Sequence, residues 1–209
     1  MNKIYNNLME NENLLNNLEG ILTQVEALNV FLVIKGVKNG AYINIYTEME
    51  DRLDKILRDN SVFYKKIPTK MRTDRGRLIA YFISKRQNPN KMFRNNINMS
   101  SGFFDRLVGF FLGFEAVYNM SDDPCKNGYH VGIRAYERGE GGNRLRNNYA
   151  ENYGNIDGIK NYSIIDFCWI ESKERIRERM LKVREYYEES LQRYFPDRFF
   201  VKLFVVKGK

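Results

Sequence analysis

The last third of the chain limits the fold most sharply. Ile176, Met180, Val183, Tyr187, Leu191 and Tyr194 recur at helical spacing over about 22 residues, so one face of a long helix must be buried. Ahead of it runs YSIIDFCWI (162–170), and behind it, after FPDR, comes FFVKLFVVK (199–207). Short runs rich in β-branched and aromatic residues, bounded by polar or turn-forming residues, are strands. The end of the chain therefore reads strand, helix, strand.

Earlier segments repeat this mixture. Leu8, Leu15, Leu18, Leu22 and Val25 predict a helix over Tyr5–Leu28. VFLVIK (30–35) and AYINIY (41–46) read as strands joined by GVKNG, a hairpin. Thr47 and Glu50 have capping-box spacing ahead of a helix whose apolar face is Leu53, Ile56 and Leu57. SVFYKKIP reads as a strand stopped by Pro68, and GRLIAYFISKR as a strand bounded by Gly76 and QNPN. Ser100 or Ser101 caps an apolar helix, Phe103–Tyr118, whose apolar residues lie on nearly all sides, as a buried central helix requires. From 119 to 161 the pattern dissolves into a glycine-rich loop with one strand-like run, YHVGIRAYE. The whole reads as a single α+β domain (1–209). Its mixed or antiparallel sheet packs with an N-terminal helix, a buried central helix and a long C-terminal helix.

Charge is unevenly placed. The chain carries +8 overall, yet the window Tyr64–Arg94 alone carries +9, because ten cations meet only Asp74 there. A localised excess of this kind suits an anion-binding surface. The most apolar stretch, Phe103–Tyr118, holds Asp105, Arg106 and Glu115 and is too short to span a bilayer. The N-terminus is polar and Asn-rich, without a signal-peptide core. Cys125 and Cys168 stand far apart and form no metal-ligand spacing, so neither a disulfide scaffold nor a zinc site is expected. These features predict an intracellular protein with no membrane segment.

Two kinds of site are encoded. The first is catalytic. Restriction-endonuclease-like nucleases place an Asp and then a Glu-x-Lys on the next strand. The carboxylates hold Mg²⁺ or Mn²⁺, and the lysine activates water. Asp157, Glu171 and Lys173 have that order, with Asp157 and Glu171 as the metal ligands. Glu171 and Lys173 would share a face only if the strand ran through both. Ser172 is itself a good N-cap, with Glu174 in the first turn, and the pattern predicts that it caps the helix. Asp166, inside an apolar strand, needs a partner and is expected to pair with an arginine. His130, the sole histidine, is expected in a loop.

The second kind of site is electrostatic. Nucleic-acid binders interleave cations for phosphates with aromatic rings for bases. Lys65, Lys66, Lys70, Arg72, Arg75, Arg77 and Arg86 form such a set with Phe63, Tyr64, Tyr81, Phe82 and Phe93. Arg144 and Arg146 in the glycine-rich loop extend it. That loop has neither Rossmann nor P-loop spacing.

GRLIAYFISKR followed by FFDRLVGFFLGFEAVY resembles an uncharacterised, mainly archaeal family that carries an LGYPxCC motif. The overlap is Leu112-Gly113-Phe114, and Val117-Tyr118 stand where that family has two cysteines. The resemblance implies a shared fold over about residues 76–118 and no activity.

The leading expectation is a non-catalytic protein that binds DNA or RNA and needs no cofactor. The alternatives are the metal-dependent nuclease and a protein that recruits or inhibits an acidic protein partner.

Overall fold

The computed structural model describes residues 2–74, 76–92, 109, 112, 124–138 and 161–208. Helices and antiparallel sheets share the chain, so the class is α+β. The chain divides into two compact units, residues 14–119 and residues 1–13 with 120–209. Each unit has its own three-stranded sheet.

The N-terminal helical pattern is broken in two. Helix α1 spans Asn2–Glu19 and α2 spans Gln24–Ile34. Between them Thr23 forms a full capping box with Glu26. The Glu26 N–H donates to Thr23 Oγ1 at 3.4 Å, and the Thr23 N–H donates to Glu26 Oε2 at 3.2 Å. That box starts a new helix and carries it through VFLVI, which is helix rather than strand. Ala27 to Ile34 are all buried, and a continuously apolar run has no periodicity to separate a buried helix from a buried strand. The helix ends in a Schellman motif. Val37 N–H donates to Leu32 O and Gly36 N–H to Val33 O, both at 2.9 Å. Gly36 adopts φ +71°, where a side chain would be strained. GVKNG therefore ends a helix instead of turning a hairpin.

The first unit continues with strand β1 (Ala41–Tyr46), a 3₁₀ turn (Thr47–Met49) and α3 (Glu50–Asp59). Because Thr47 opens the 3₁₀ turn, α3 starts after Met49, which supplies no side-chain cap, and the expected Thr47–Glu50 box does not form. Strands β2 (Phe63–Thr73) and β3 (Gly76–Ser84) follow, then the short α4 (Pro89–Met92). The sheet order is β1-β3-β2, antiparallel throughout. β2 runs through Pro68 instead of stopping there. At the edge of the sheet among the described residues, it loses little from the missing N–H, and its register shifts between Pro68 and Arg72. Tyr81, Ile83, Ile43 and Ile45 are buried, and α2 packs on β1 and β3.

The second unit takes residues 2–13 of α1, the short α5 (Pro124–Asn127), β4 (Tyr129–Glu137), β5 (Asn161–Trp169), α6 (Lys173–Tyr194) and β6 (Phe199–Lys207). Its order is β5-β4-β6, again antiparallel. The run YHVGIRAYE, expected as a fragment within a loop, is the central strand of this sheet. Its other strands and its helix follow the sequence reading closely. Ser172 caps α6, its Oγ accepting from Arg175 N–H at 3.3 Å. Ile176, Met180, Tyr187 and Leu191 bury the expected stripe, and α6 packs chiefly on β6. No helix among the described residues is long and apolar enough to cross a membrane.

Cys168 on β5 is disulfide-bonded, contrary to the expectation. The sequence has one other cysteine, Cys125. Their separation along the chain says little about space, because α5 abuts β5. A bonded cysteine also removes the composition argument for a reducing compartment. The expected helix Phe103–Tyr118 lies outside the described residues except at 109 and 112, as do Val117 and Tyr118. The same is true of residues 139–160 of the glycine-rich loop, including Arg144, Arg146 and Asp157.

Candidate nucleic-acid interface

The cations of the Tyr64–Arg94 window have different fates. Lys66 is consumed internally. Its Nζ donates to Glu50 at 2.5 Å and to Asp54 at 2.9 Å, and it lies 5.9 Å from the centre of the Tyr81 ring. Burial pulls its pKa down, but the hydrogen bonds and charges of Asp54 and Glu50 outweigh this and raise it. A lysine neutralised by two carboxylates is a poor phosphate ligand, so Lys66 leaves the predicted set. Lys65, on the next position of β2, faces Phe82 across the ladder and is half-buried. Arg77 is exposed and meets no carboxylate among the described residues. The register sets Arg72 directly opposite it. Like charges in that relation destabilise a hairpin unless an anion is near. Lys70 and Arg72 lie on the β2 backbone, while their side chains and Arg75 lie outside the described residues.

Arg86 and its neighbours build the most site-like feature of this unit. β3 stops at Ser84, whose Oγ accepts from the N–H groups of Arg86 (3.3 Å) and Gln87 (3.1 Å) and donates to Asn39 O at 2.7 Å. This tight turn lifts Arg86 and Gln87 off the strand. Asn88 Oδ1 accepts from Asn90 N–H at 3.0 Å, and Asn90 Nδ2 donates to Tyr64 O at 3.2 Å, which pins α4 beside the start of β2. Phe63 lies there, at the first residue of an edge strand and 47% exposed. Phe63, Arg86, Gln87, Asn88 and Lys91 line an open groove of about 720 Å³. Lys91 meets no carboxylate among the described residues. Arg86 is tethered, donating to Gly36 O at 2.9 Å and to Asn39 Oδ1 at 3.5 Å. The groove thus offers a ring, two cations and two amides at one place.

Lysines also gather at the end of α2. Lys85 donates to Ile34 O at 2.8 Å, a favourable position for a cation at a helix C-terminus. Lys38 donates to Asn29 Oδ1, and burial pushes its pKa down from 10.5 to about 8. Between those values the unfolded chain holds a proton there that the folded chain has released, so stability rises with pH. We expect resistance to urea to increase by about 1.5 kcal/mol between pH 8 and pH 9.5, below the range in which the buried tyrosines, whose pKa values folding raises, start to cost stability. In Lys38→Met that increase should be missing. A wild-type profile as flat as the variant's would contradict this assignment.

Glu171 and Lys173 do not share the strand face that the nuclease alternative requires, and the expected Ser172 cap forms instead. β5 ends at Trp169, Ser172 caps α6, and Lys173 is the first residue of that helix. Glu171 instead accepts from the Ser172 N–H at 3.1 Å and pairs with Arg175 at 3.7 Å. Asp166 is not buried, with its side chain 38% exposed on β5. It pairs with His130 Nε2 at 2.8 Å and Arg134 at 3.8 Å. The arginine partner was expected. His130 was not, since it occupies β4 rather than a loop. Among the described residues, no three His, Cys, Asp or Glu side chains converge as metal ligands would.

Compared with protein-family models, curated proteins and solved structures, the chain finds no match.

Proposed function

We propose that this protein binds single-stranded nucleic acid without catalysis, through the Phe63–Lys91 groove and, at the far end of the same β2–β3 ladder, the basic hairpin turn that holds Arg77. The observation that carries this reading is Phe63. Single exposed apolar residues are ordinary on a protein surface, so the weight lies in what surrounds this ring, which is nearly half exposed. Here it shares a groove with Arg86, Lys91, Gln87 and Asn88. An aromatic face accepts an unstacked base, the cations accept phosphate, and the amides take base edges. A duplex offers no free base face, which favours a single strand. Arg77, with Lys70 and Arg72 across the hairpin, would carry the backbone onward.

Stacking on one ring contributes about 1–3 kcal/mol. Phe63→Ala should therefore weaken binding of a fluorescein-labelled single-stranded oligonucleotide about tenfold to hundredfold in fluorescence anisotropy. Phe63→Trp should retain it. Equal affinities for wild type and Phe63→Ala would remove the groove from the account.

A further inference from the structure

A second groove, on the other unit, has features that fit a protein partner. β6 is an edge strand among the described residues, because β4 is its only neighbour in the order β5-β4-β6. The ladder fixes which way its backbone points. Arg138 N–H donates to Arg198 O at 2.8 Å, and Gly208 N–H donates to Gly128 O at 3.0 Å. With the unbroken register between them, Phe200, Lys202, Phe204 and Val206 aim their N–H and C=O groups at β4. In an antiparallel pair the alternate residues aim theirs the other way. Phe199, Val201, Leu203, Val205 and Lys207 therefore present their backbone groups to the free edge.

Side chains of α6 occupy the first part of that edge. Gln192 donates to Phe199 O at 2.7 Å, and Arg184 to Val201 O at 3.4 Å. Beyond Val201 this coverage stops. Leu203, Val205 and Lys207 make no outward hydrogen bond among the described residues. Alongside them a groove of about 630 Å³ opens between β6 and α6. Its wall carries Lys173 and Arg177 from the helix and Lys202 and Lys207 from the strand, while Arg184, also in the lining, is already paired with Glu188 at 2.9 Å. Lys173 and Arg177 make no ion pair among the described residues. Leu181, 45% exposed, gives the groove an apolar side.

We propose that this groove takes an extended, acidic segment of a partner protein, which adds to β6 as a fourth strand. Unmade backbone bonds at alternate residues are what an added strand satisfies, and pockets beside them read its side chains. Edge lysines by themselves protect a sheet from unwanted pairing. Here the helix adds further cations on the same groove, which selects an acidic strand over a neutral one. A nucleic acid would meet one aromatic ring in the lining, Phe204, and backbone donors and acceptors that it cannot match in register. The inference does not depend on the Phe63 groove and is tested separately.

The probe is a capped heptapeptide alternating Glu and Val, compared with its Lys–Val counterpart and with a Glu–Val peptide N-methylated at alternate positions. Amide hydrogen exchange of the ¹⁵N-labelled protein is read by NMR. The Glu–Val peptide should slow exchange at Leu203, Val205 and Lys207 at least about tenfold, and the other two peptides should not. Lys173→Glu with Arg177→Glu should abolish the effect while the circular dichroism spectrum is kept. The proposal fails if those amides are unaffected, or if the Lys–Val or N-methylated peptide acts equally. It also fails if the peptide-free protein dimerises with the same amides protected, or if an oligonucleotide protects them in place of the peptide.

Discussion

Replacing Asp54 with alanine should destabilise the protein by about 3–5 kcal/mol, among the largest effects available to one side chain in this fold. Asp54 is 6% exposed on α3. Its Oδ1 accepts from Tyr81 Oη at 2.8 Å, and its Oδ2 from Lys66 Nζ at 2.9 Å, with Arg58 at 3.7 Å. Tyr81 is completely buried in the central strand. Burial first, and then the hydrogen bond to Asp54, push its phenol pKa well above the ordinary value. Without the carboxylate, the Tyr81 hydroxyl loses its acceptor and Lys66 keeps only Glu50. A buried donor left unmade costs about 1–3 kcal/mol by itself. Asp54→Asn keeps an acceptor for Tyr81 but not the charge, so its loss should be smaller. Urea denaturation of the two variants checks the ranking. A loss below about 1 kcal/mol for Asp54→Ala would mean that the network contributes little to the fold.

Arg198→Ala should cost about 3 kcal/mol in the other unit. The guanidinium donates to Glu137 Oε1 through Nε at 3.0 Å and NH2 at 2.6 Å, and through NH1 to Glu12 on α1. It also lies over the rings of Phe195 and Phe199, at 5.5 and 5.0 Å. Its removal leaves two part-buried carboxylates facing each other and uncovers two aromatic rings. Arg138 is the control. It pairs at 3.2 Å with Asp197, which is 88% exposed, and Arg138→Ala should cost less than about 1 kcal/mol. Equal losses for the two arginines in thermal denaturation would contradict this description.

The parts of the fold legible in the sequence are those with periodicity and local capping. β5, α6 and β6 follow from an alternating or 3.6-residue pattern, and Ser172 marks the junction between strand and helix. Where the apolar run was continuous, as in VFLVI, the decisive signal was Thr23 and Glu26 several residues upstream. Pro68 misled because its effect depends on whether the strand is central or at an edge, which one sequence does not state. The candidate site was legible only as a charge excess. Lys66 was indistinguishable from its neighbours until Glu50 and Asp54 came across from α3. The exposure of Phe63 depends on its place at the end of an edge strand. The QNPN turn was visible, but its role in bringing Gln87, Asn88 and Lys91 beside that ring was not. Asp166 looked like a buried charge because its neighbours are apolar, whereas it lies on an accessible part of the sheet, opposite Gly132.

The most direct test of the nucleic-acid reading is the salt dependence of binding to a single-stranded oligonucleotide. Each phosphate contact contributes about 0.7 to the slope of log Kd against log salt concentration. With Arg77, Arg86, Lys91 and the hairpin engaged, the wild-type slope should be at least about 2, and Arg77→Glu with Lys91→Glu should reduce it by about 1.4 or more. A wild-type affinity insensitive to salt, or a double variant with the wild-type slope, would contradict nucleic-acid binding at this surface.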